Sequence, residues 1–522
     1  MVQVERRRDL IGDAVMMHQL KPDCWIRRQA QPYARAMPLR CAPIALLALL
    51  LPGLACSTPP PAPTTASISA PAPTSASATA PASATAPAPA SPTAPPCPLS
   101  ERGPDGLTPL ERGLRDALVE ARLDQVIDLG PTAEQSCPAG VTCPGAPLAR
   151  TPHVDLAVIA FPDGCPPAGA DVLLSPDFPA ARVSAIDPTT QSLTGVRFRR
   201  WDPQRWDGTA RPRTDADDIV PAAPGVDFDL PYPASLFKLL VAVQLLRVID
   251  RGDRGDRGDR GALRLDQRFH HDGAARPLRA WLDDMITRSD NVSTRALLRV
   301  LHRLGEANSL NGTFAALGLP ALQIHGTSPL TGGEWHPGQI HMGAWDTARL
   351  LWLLDPDAPP PTWPADPGFL RPASKALLSR LLREQAYHEA LSTSALCGVA
   401  RVPRGIPALM PERWIAADGS VNVDELRRAA DVRPCNEKAE VLFAHKTGLT
   451  FNYGSDAGIV SGIPGRARRH YIIALVSNLG YRYTDADRAG GPLPCLAEGL
   501  CYTRRIPALG ARVDAMMKAW LE

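Results

Sequence analysis

The chain has 522 residues, of which 44% are hydrophobic and 21% are charged, and its formal net charge is +2 at pH 7. This composition is typical of a soluble globular protein with a substantial core in one large domain or two ordinary ones. Because the net charge has no strong sign, we predict no nucleic-acid partner, and bulk electrostatics does not favour an anionic membrane surface either.

The N-terminal part of the chain predicts export. Residues 1–36 are arginine-rich with little apolar periodicity, and we interpret them as an overlong gene start or a disordered extension. Residues 37–56 contain a basic residue, an apolar run and small residues ending at Cys56, the pattern of a signal peptide. This pattern resembles a bacterial lipoprotein signal, so lipidation of Cys56 and simple cleavage remain alternatives. We expect a periplasmic or cell-envelope protein, attached to the membrane by an N-terminal lipid if Cys56 is modified.

The next segment is a linker. Residues 57–97 consist almost wholly of Pro, Ala, Ser and Thr, which cannot bury enough apolar surface to offset their chain entropy. We interpret them as a semi-rigid tether before a folded domain at residues 98–522. Within that domain, residues 353–439 have Pro-rich and Cys-bearing loops and are predicted to be an insertion that either shapes the cleft or decorates it.

The cysteine count fits an exported protein. Of the 11 cysteines, two fall in the leader and Cys56 is the candidate lipid site, which leaves eight. An even number is what a disulfide framework requires. Two close pairs are spaced to form small loops, although the sequence does not fix the connectivity: Cys137 with Cys143, and Cys495 with Cys501. No Cys-x-x-Cys pair appears, nor a histidine pair close to the cysteines, so we predict no metal site.

Residues 230–250, LPYPASLFKLLVAVQLLRVID, are apolar on almost every side after a proline-rich start. They predict a buried helix beginning near Ser235. Ser235 and Lys238 are three residues apart, so a helix places both on one face, with Ser235 at the end that favours a developing oxyanion. Only six of the 56 basic residues are lysines, and a desolvated lysine, unlike an arginine, can be neutral at pH 7. The alternative is a buried helix whose lysine extends to solvent.

Ser289, Asp290 and Asn291 lie in the stretch DMITRSDNVSTRALLRVLHRLG. Apolar residues recur at helical spacing after Asn291, which predicts a short polar segment leading into an amphipathic helix. Taken alone, the three residues are typical of a helix N-cap, because their side chains accept hydrogen bonds from free backbone N–H groups.

The residues HKTG at 445–448 follow the first of three β-rich runs that are separated by Gly and Asn turns. The runs predict a three-stranded antiparallel meander with Lys446 on its first strand: residues 441–444, 457–460 and 471–476. Taken alone, Lys446 is an edge-strand lysine that discourages aggregation.

Ser-x-x-Lys, Ser-Asp-Asn and Lys-Thr-Gly occur once each and in this order, which is the motif set of class A β-lactamases and penicillin-binding proteins. The chain from about residue 107 to residue 522 resembles this serine hydrolase family. The resemblance implies an α+β fold (an α/β sandwich), in which N- and C-terminal helices flank a five-stranded, mainly antiparallel sheet. An all-helical subdomain carries the Ser235 helix. We expect a first helix at residues 108–127, a first strand at 155–161 and a terminal helix at 511–521 lying on the sheet.

The resemblance assigns the covalent chemistry to three residues. Ser235 resembles the nucleophile that attacks a lactam or peptide carbonyl and forms an acyl-enzyme. Lys238 resembles the base that takes its proton, and Ser289 the hydroxyl that passes a proton to the leaving nitrogen.

The same resemblance assigns substrate binding to the other motif positions. Asn291 resembles the residue that hydrogen-bonds the substrate's side-chain amide, and Lys446 with Thr447 resembles the pair that recognises the substrate carboxylate. Gly448 leaves the strand edge bare for substrate. The backbone N–H groups of Ser235 and Leu449 would form the oxyanion hole.

One family feature is missing from the sequence. Class A β-lactamases release the acyl group with a glutamate in a Glu-x-x-Leu-Asn pattern between the second and third motifs, and that pattern is absent here. Glu334 is the candidate that remains, the alternative being an ordinary exposed loop carboxylate; His336 and His341 are weaker candidates. If Glu334 activates water, Glu334→Gln is expected to trap the acyl form.

The sequence therefore predicts a serine hydrolase that acts on β-lactams through an acyl-enzyme on Ser235, with no cofactor. A D-alanyl-D-alanine peptidase or esterase on the same fold is one alternative. A penicillin-binding envelope sensor without turnover is another. The expected partner is a small β-lactam or cell-wall peptide, and the sequence does not indicate the oligomeric state.

Overall fold

In the computed structural model, residues Pro96–Glu522 form one compact unit. The structure describes residues 97, 99, 101–130, 145–209, 212–221, 223–253, 263–366, 368–399, 402–424, 426–428, 430–487 and 502–522. The predicted leader, most of the linker and Cys56 lie outside the described residues. So do both cysteine pairs that were expected to close small loops.

The strands are short at the periphery and long in the central sheet. In chain order they are β1 (Ile127–Asp128), β2 (Ala146–Pro147), β3 (Val154–Ala160), β4 (Ala168–Ser175), β5 (Phe178–Val183), β6 (Ala185–Ile186), β7 (Leu193–Arg200), β8 (Gly225–Leu230), β9 (Arg268–His271), β10 (Ala274–Pro277), β11 (Leu322–Ile324), β12 (Ile340–Met342), β13 (Val421–Val423), β14 (Leu426–Arg428), β15 (Val441–Leu449), β16 (Gly454–Gly462), β17 (His470–Ser477) and β18 (Tyr483–Thr484).

The α-helices range from one turn to 17 residues. In chain order they are α1 (Pro109–Glu120), α2 (Pro203–Trp206), α3 (Lys238–Asp253), α4 (Leu278–Thr287), α5 (Asn291–Arg303), α6 (Leu310–Ala316), α7 (Ala344–Leu354), α8 (Pro372–Arg383), α9 (Arg433–Glu437) and α10 (Arg505–Leu521). Within the described ranges, none of the helices combines the length and the apolar content that crossing a membrane requires.

The central sheet has six strands in the order β15-β16-β17-β3-β4-β5, and every neighbouring pair is antiparallel. Successive side chains of a strand point to opposite faces. On β3, Leu156 and Val158 therefore join one apolar cluster, whereas Ala157 and Ile159 join the other. Both faces of the sheet are covered, which gives the layered α+β architecture that the sequence predicts.

The sheet contains one strand more than expected. The additional strand, β5, is an edge strand whose residues are all exposed or half-buried. It carries Ala181 at a φ of 57° and pairs with β4 through an irregular register. Because β5 lacks a regular alternation of buried apolar residues, periodicity does not reveal it.

Helices α1 and α10 cover one face of the sheet, as predicted, and contribute Leu114 and Val513 to its core. Thr108 starts α1 with a reciprocal capping box to Glu111. The helix ends at Glu120 and not at residue 127, because Arg122 adopts a left-handed φ of 49°. Helix α10 begins at Arg505, six residues before the predicted start at residue 511.

The other face of the sheet packs on α7 and, beyond it, on the helices that carry the first two motifs. Helix α3 lies in the middle of this cluster, with every residue from Leu239 to Val243 at 0% exposure. This part of the molecule was expected to be all-helical. It also contains two pairs of short antiparallel strands, β9–β10 and β11–β12, which lie between its helices.

The predicted insertion has a small core of its own, which includes Met410, Trp414 and Val432. A disulfide joins Cys397 to Cys435 within it. A second disulfide joins Cys97 to Cys165, in the loop between β3 and β4. Two of the cysteine pairings that the sequence left open are thereby assigned.

Candidate active site

Ser235 lies in a 3-10 turn, Ala234–Phe237, that leads directly into α3. Proline precedes this turn at position 233, where a missing N–H is tolerated because the first N–H groups of a helix have no intrahelical acceptor. Ala234 has a left-handed φ of 47°, and Leu236 and Lys238 are fully buried. Ser235 is partly exposed. It is therefore the side chain through which this turn meets solvent.

Lys238 begins α3, and its amine is held by the second motif. Its Nζ donates to the backbone oxygen of Ser289 and, at 2.7 Å, to Oδ1 of Asn291. Ser289 Oγ lies 3.2 Å from the same nitrogen. Two carbonyl oxygens thus take two N–H groups of Lys238, so a neutral amine would keep its lone pair for a hydroxyl proton.

The environment of Lys238 favours the neutral amine. Burial is the main cause that lowers its pKa well below the usual value, and the positive charges of Lys446 and Arg295 add to this effect. Asp290 acts in the opposite direction. A lysine with a strongly lowered pKa can serve as a general base near neutral pH.

The second motif forms a tight turn at the start of α5. Ser289 has a left-handed φ of 60°, which directs both its carbonyl and its hydroxyl to the amines of the site. Asp290 is the N-cap of α5, and its carboxylate accepts from the N–H groups of Val292 and Ser293. Asp290 therefore shapes the loop, and Asn291, the first residue of the helix, reaches Lys238.

The third motif lies on β15, the edge strand of the central sheet next to α3. Ala444 packs on the helical side of the sheet, so the alternation of side chains puts Lys446 and Gly448 on that same face. Lys446 Nζ donates to Ser289 Oγ at 2.9 Å and to the oxygen of Thr447 at 2.8 Å. The Ser289 hydroxyl is thus shared by the amines of Lys238 and Lys446.

Lys446 differs from Lys238 in its charge state. Burial lowers the pKa of Lys446 to about 7, while the buried carboxyl of Asp456 partly opposes this shift. At pH 7 a substantial fraction of Lys446 is protonated. It is therefore the cation of the pair, in a position where a substrate carboxylate can pair with it.

Gly448 permits β15 to approach the turn that carries Ser235. A Cβ atom at this position would lie 2.2 Å from the oxygen of Pro233 and 2.7 Å from the nitrogen of Leu236. Ser455 on β16 strengthens the same contact by donating to the oxygen of Pro233 at 2.6 Å. The backbone at Pro233 and Leu236, on either side of Ser235, therefore packs directly against the edge of the sheet.

The backbone of Leu449 faces this approach. Thr450 N donates to the oxygen of Tyr453 at the hairpin between β15 and β16. Because hydrogen-bonded and non-hydrogen-bonded pairs alternate in an antiparallel ladder, the N–H of Leu449 points away from β16 and toward the free edge. Thr447 is buried opposite Asp456 in the register of the two strands.

Glu334 does not join this cluster. Its side chain is 79% exposed, and its ionic neighbour is His336, whose Nε2 lies 3.9 Å from the carboxylate. His341 is fully buried, and burial lowers its pKa to about 3. The role of Glu334 in water activation stays a prediction, with a placement at the surface that does not favour it.

Two residues beside the site, Arg295 and Trp335, do not belong to any of the three motifs. Arg295 stacks over the ring of Trp335, with its guanidinium carbon 5.4 Å from the ring centre. Trp335 in turn packs on Phe237, at 4.9 Å between ring centres. The position of Arg295 four residues after Asn291 on a predicted helix was a usable signal, because such residues share a face.

The geometry agrees with a comparison of sequences. The model of the β-lactamase enzyme family matches residues 229–394, which include both Ser235 with Lys238 and Ser289 with Asn291. This segment is therefore similar to the β-lactamase enzyme family. Lys446 lies beyond the matched residues and is linked to the matched segment by its bond to Ser289. No curated protein matches the chain by sequence.

Solved structures with some similarity include two kinds of protein. A β-lactamase from Xanthomonas campestris pv. campestris is 13% identical, with a TM-score of 0.36, over 78% of this chain and 98% of its own. PBP-A is 17% identical, with a TM-score of 0.33, over 55% of this chain and 82% of its own. A PBP-A mutant, solved as an acyl-enzyme complex with penicillin G, is 18% identical, with a TM-score of 0.33, over 57% and 86%. At these low scores, the similarity to the β-lactamase family depends on the family match and the motif geometry.

Proposed function

We propose that this protein is a class A-related serine acyl-transfer enzyme that opens β-lactam rings by forming an acyl-enzyme on Ser235. The observation that carries this proposal is the Ser289 hydroxyl, which lies 3.2 Å from Lys238 Nζ and 2.9 Å from Lys446 Nζ. One hydroxyl between a neutral amine and a cationic amine is suited to moving a proton across the site.

In the proposed acylation, Ser235 Oγ attacks the lactam carbonyl and its proton passes to the neutral Nζ of Lys238. The N–H groups of Ser235 and Leu449 stabilise the oxyanion. The C–N bond then breaks, Ser289 gives its proton to the leaving nitrogen, and Lys238 returns a proton to Ser289. The products are a Ser235 ester and a ring-opened amine that carries the proton lost by Ser235, while Lys238 and Ser289 return to their starting protonation states.

Recognition in this proposal depends on charge and on an amide contact. Lys446 and Thr447 pair with the carboxylate that β-lactams and D-alanyl peptides share. Asn291 Oδ1 accepts from Lys238, which leaves the Nδ2 donor of the same amide for a carbonyl of the substrate side chain.

The fate of the ester separates two functions. A β-lactamase releases the ester rapidly, whereas a penicillin-binding D-alanyl-D-alanine peptidase or sensor keeps it after reaction with penicillin. The exposure of Glu334 favours slow release, because a carboxylate in solvent does not activate water next to Ser235.

The test is to mix the purified protein with a fluorescent penicillin and, separately, with a chromogenic cephalosporin. We expect one fluorescent label per chain, located on Ser235 by peptide mass spectrometry. Ser235→Ala should abolish the label. Ser392→Ala is a matched control, because Ser392 is a buried serine whose hydroxyl contacts His388 and Ser394. Full labelling of Ser235→Ala would refute the proposal.

A further inference from the structure

A closed series of contacts, called here the ring of contacts, leads from Lys238 through α5 and back to the residue before Lys238. Lys238 Nζ bonds Asn291 Oδ1 at 2.7 Å, and Asn291 begins the helix that carries Arg295 one turn later. Arg295 stacks on Trp335 at 5.4 Å, and Trp335 packs on Phe237 at 4.9 Å. Phe237 precedes Lys238 in the chain, so the ring closes on the catalytic turn itself.

The loop that carries Trp335, residues 326–339, is fastened to α5 by its backbone. A Cβ atom at Gly332 would lie 2.5 Å from the Cα and the oxygen of Arg295. Arg295 Nε also faces the oxygen of Gly333 at 3.4 Å. Glycine at 332 and 333, with φ of 90° and 119°, allows this close approach and the turn that follows.

The turn decides which side chain of the loop points inward. Trp335 is half-buried against Phe237, whereas its neighbour Glu334 is 79% exposed. The loop therefore presents an aromatic ring to the catalytic turn and a carboxylate to solvent. Two charges of the α5 region act on Lys238. Arg295 is a cation, which does not accept a proton, and the carboxylate of Asp290 accepts from the backbone N–H groups at the start of α5.

We propose that Arg295 and Trp335 shield the Ser235 ester from water, so that the acyl-enzyme of this protein is long-lived. This inference rests on the proposed function, since it concerns the ester that acylation forms. In the step that is slowed, a water oxygen attacks the ester carbonyl and the bond from that carbon to Ser235 Oγ breaks. One proton of the water passes to Ser235 Oγ, and the acid is released.

The shield acts through exclusion of water. Trp335 packs on Phe237 and so presents an aromatic surface beside the turn, in place of a carboxylate that could take the proton of an attacking water. Acylation is different, because it uses Lys238 and Ser289. The hydrogen bonds of Lys238 to Ser289 and Asn291 do not involve Trp335. Removal of the shield should therefore change release of the ester more than its formation.

The experiment measures the lifetime of the fluorescent penicillin label on the purified full-length protein. Trp335→Ala should shorten the lifetime by about tenfold or more, with an acylation rate close to that of the unaltered protein. Trp335→Phe should restore the long lifetime, because it keeps an aromatic ring on Phe237. Arg295→Met, which removes the stacking cation and keeps a long side chain, should shorten the lifetime even if Trp335→Ala does not fold.

Arg303→Ala is the matched control. Arg303 lies at the end of the same helix and stacks over Phe269 at 4.5 Å, away from Lys238. Its loss should leave the lifetime unchanged. Glu334→Gln should also leave it unchanged, whereas a longer lifetime would show that Glu334 activates water and would overturn the inference.

The outcomes separate the two proposals. An unaltered protein that takes no label on Ser235 refutes the proposed function, and the inference with it. A protein that is labelled but loses the label within seconds refutes the inference alone. The inference alone is also refuted if Trp335→Ala and Arg295→Met are both folded and keep the lifetime of the unaltered protein.

Discussion

Lys446 Nζ donates a 2.9 Å hydrogen bond to Ser289 Oγ and thereby joins the edge of the central sheet to the loop before α5. The two residues are 157 positions apart in the chain. Their contact joins the sheet to the helical part of the molecule at the proposed active site. The pH dependence of the proposed activity should follow the charge at this contact.

The pH dependence of substrate recognition should report the charge of Lys446. Burial lowers the pKa of Lys446 to about 7, so the ammonium is present below this pH and is lost as the pH rises through it. We expect kcat/KM for a carboxylate-bearing β-lactam to fall between pH 6 and pH 8.5, by about tenfold per pH unit at the upper end. Lys446→Arg, which stays charged, should remove this fall; a flat profile in the unaltered protein would contradict the assignment.

Replacement of Lys238 should slow acylation. Because a positioned general base contributes about 10²–10⁴-fold, Lys238→Ala should lower the acylation rate by that amount. Lys238→Arg should be no better, since a guanidinium cannot give up its proton. Stopped-flow labelling measures the rate, and a melting curve checks the fold. Acylation at the normal rate in both variants would remove Lys238 from the mechanism.

Gly448→Ala should displace β15 from the turn that carries Ser235. The added methyl group would meet the oxygen of Pro233 and the nitrogen of Leu236, both of which belong to backbone that cannot move freely. We expect loss of acylation and a decrease of about 1–3 kcal/mol in the free energy of unfolding. Gly312→Ala is the control, because this helical glycine has no atom within 4 Å of an added Cβ and should gain stability slightly. Equal behaviour of the two variants would rule out a close approach at Gly448.

The docking of α10 should depend on Arg469. This fully buried guanidinium bonds Asp514 of α10 at 2.8 and 2.9 Å and also reaches Glu440 and Glu522. Arg469→Met would leave the buried carboxylate of Asp514 without its cation and should cost about 3–5 kcal/mol in the free energy of unfolding. The exposed pair Arg264–Asp266 is the comparison: Arg264→Met should cost less than about 1 kcal/mol. Chemical denaturation measures both.

Much of the catalytic cluster was predictable, because its geometry is local. The three-residue spacing of Ser235 and Lys238 and the helix after Asp290 follow from helical periodicity. The placement of Lys446 on a strand follows from its β-rich neighbours. The meeting of these pieces depends on sheet order and loop closure, which periodicity does not contain. Motif order supplied that information through the family resemblance.

Other features were not predictable from one sequence. Strand β5 is an exposed edge strand with an irregular register, and its pattern resembles a loop. The orientation of the Glu334 side chain depends on the backbone conformation at Gly332 and Gly333. The sequence shows that these residues are glycines but does not determine their φ angles. The early end of α1 likewise follows from the left-handed backbone of Arg122, a conformation that non-glycine residues rarely adopt.

The disulfide between Cys97 and Cys165 has a mechanical consequence. A force applied to the chain before Cys97 would be transmitted through the disulfide to Cys165, in the loop between β3 and β4. In the sheet, β16 and β17 separate β3 from the catalytic edge strand β15. A pull from the N-terminal side would therefore load the far half of the sheet and leave the spacing between Lys446 and Ser289 undisturbed.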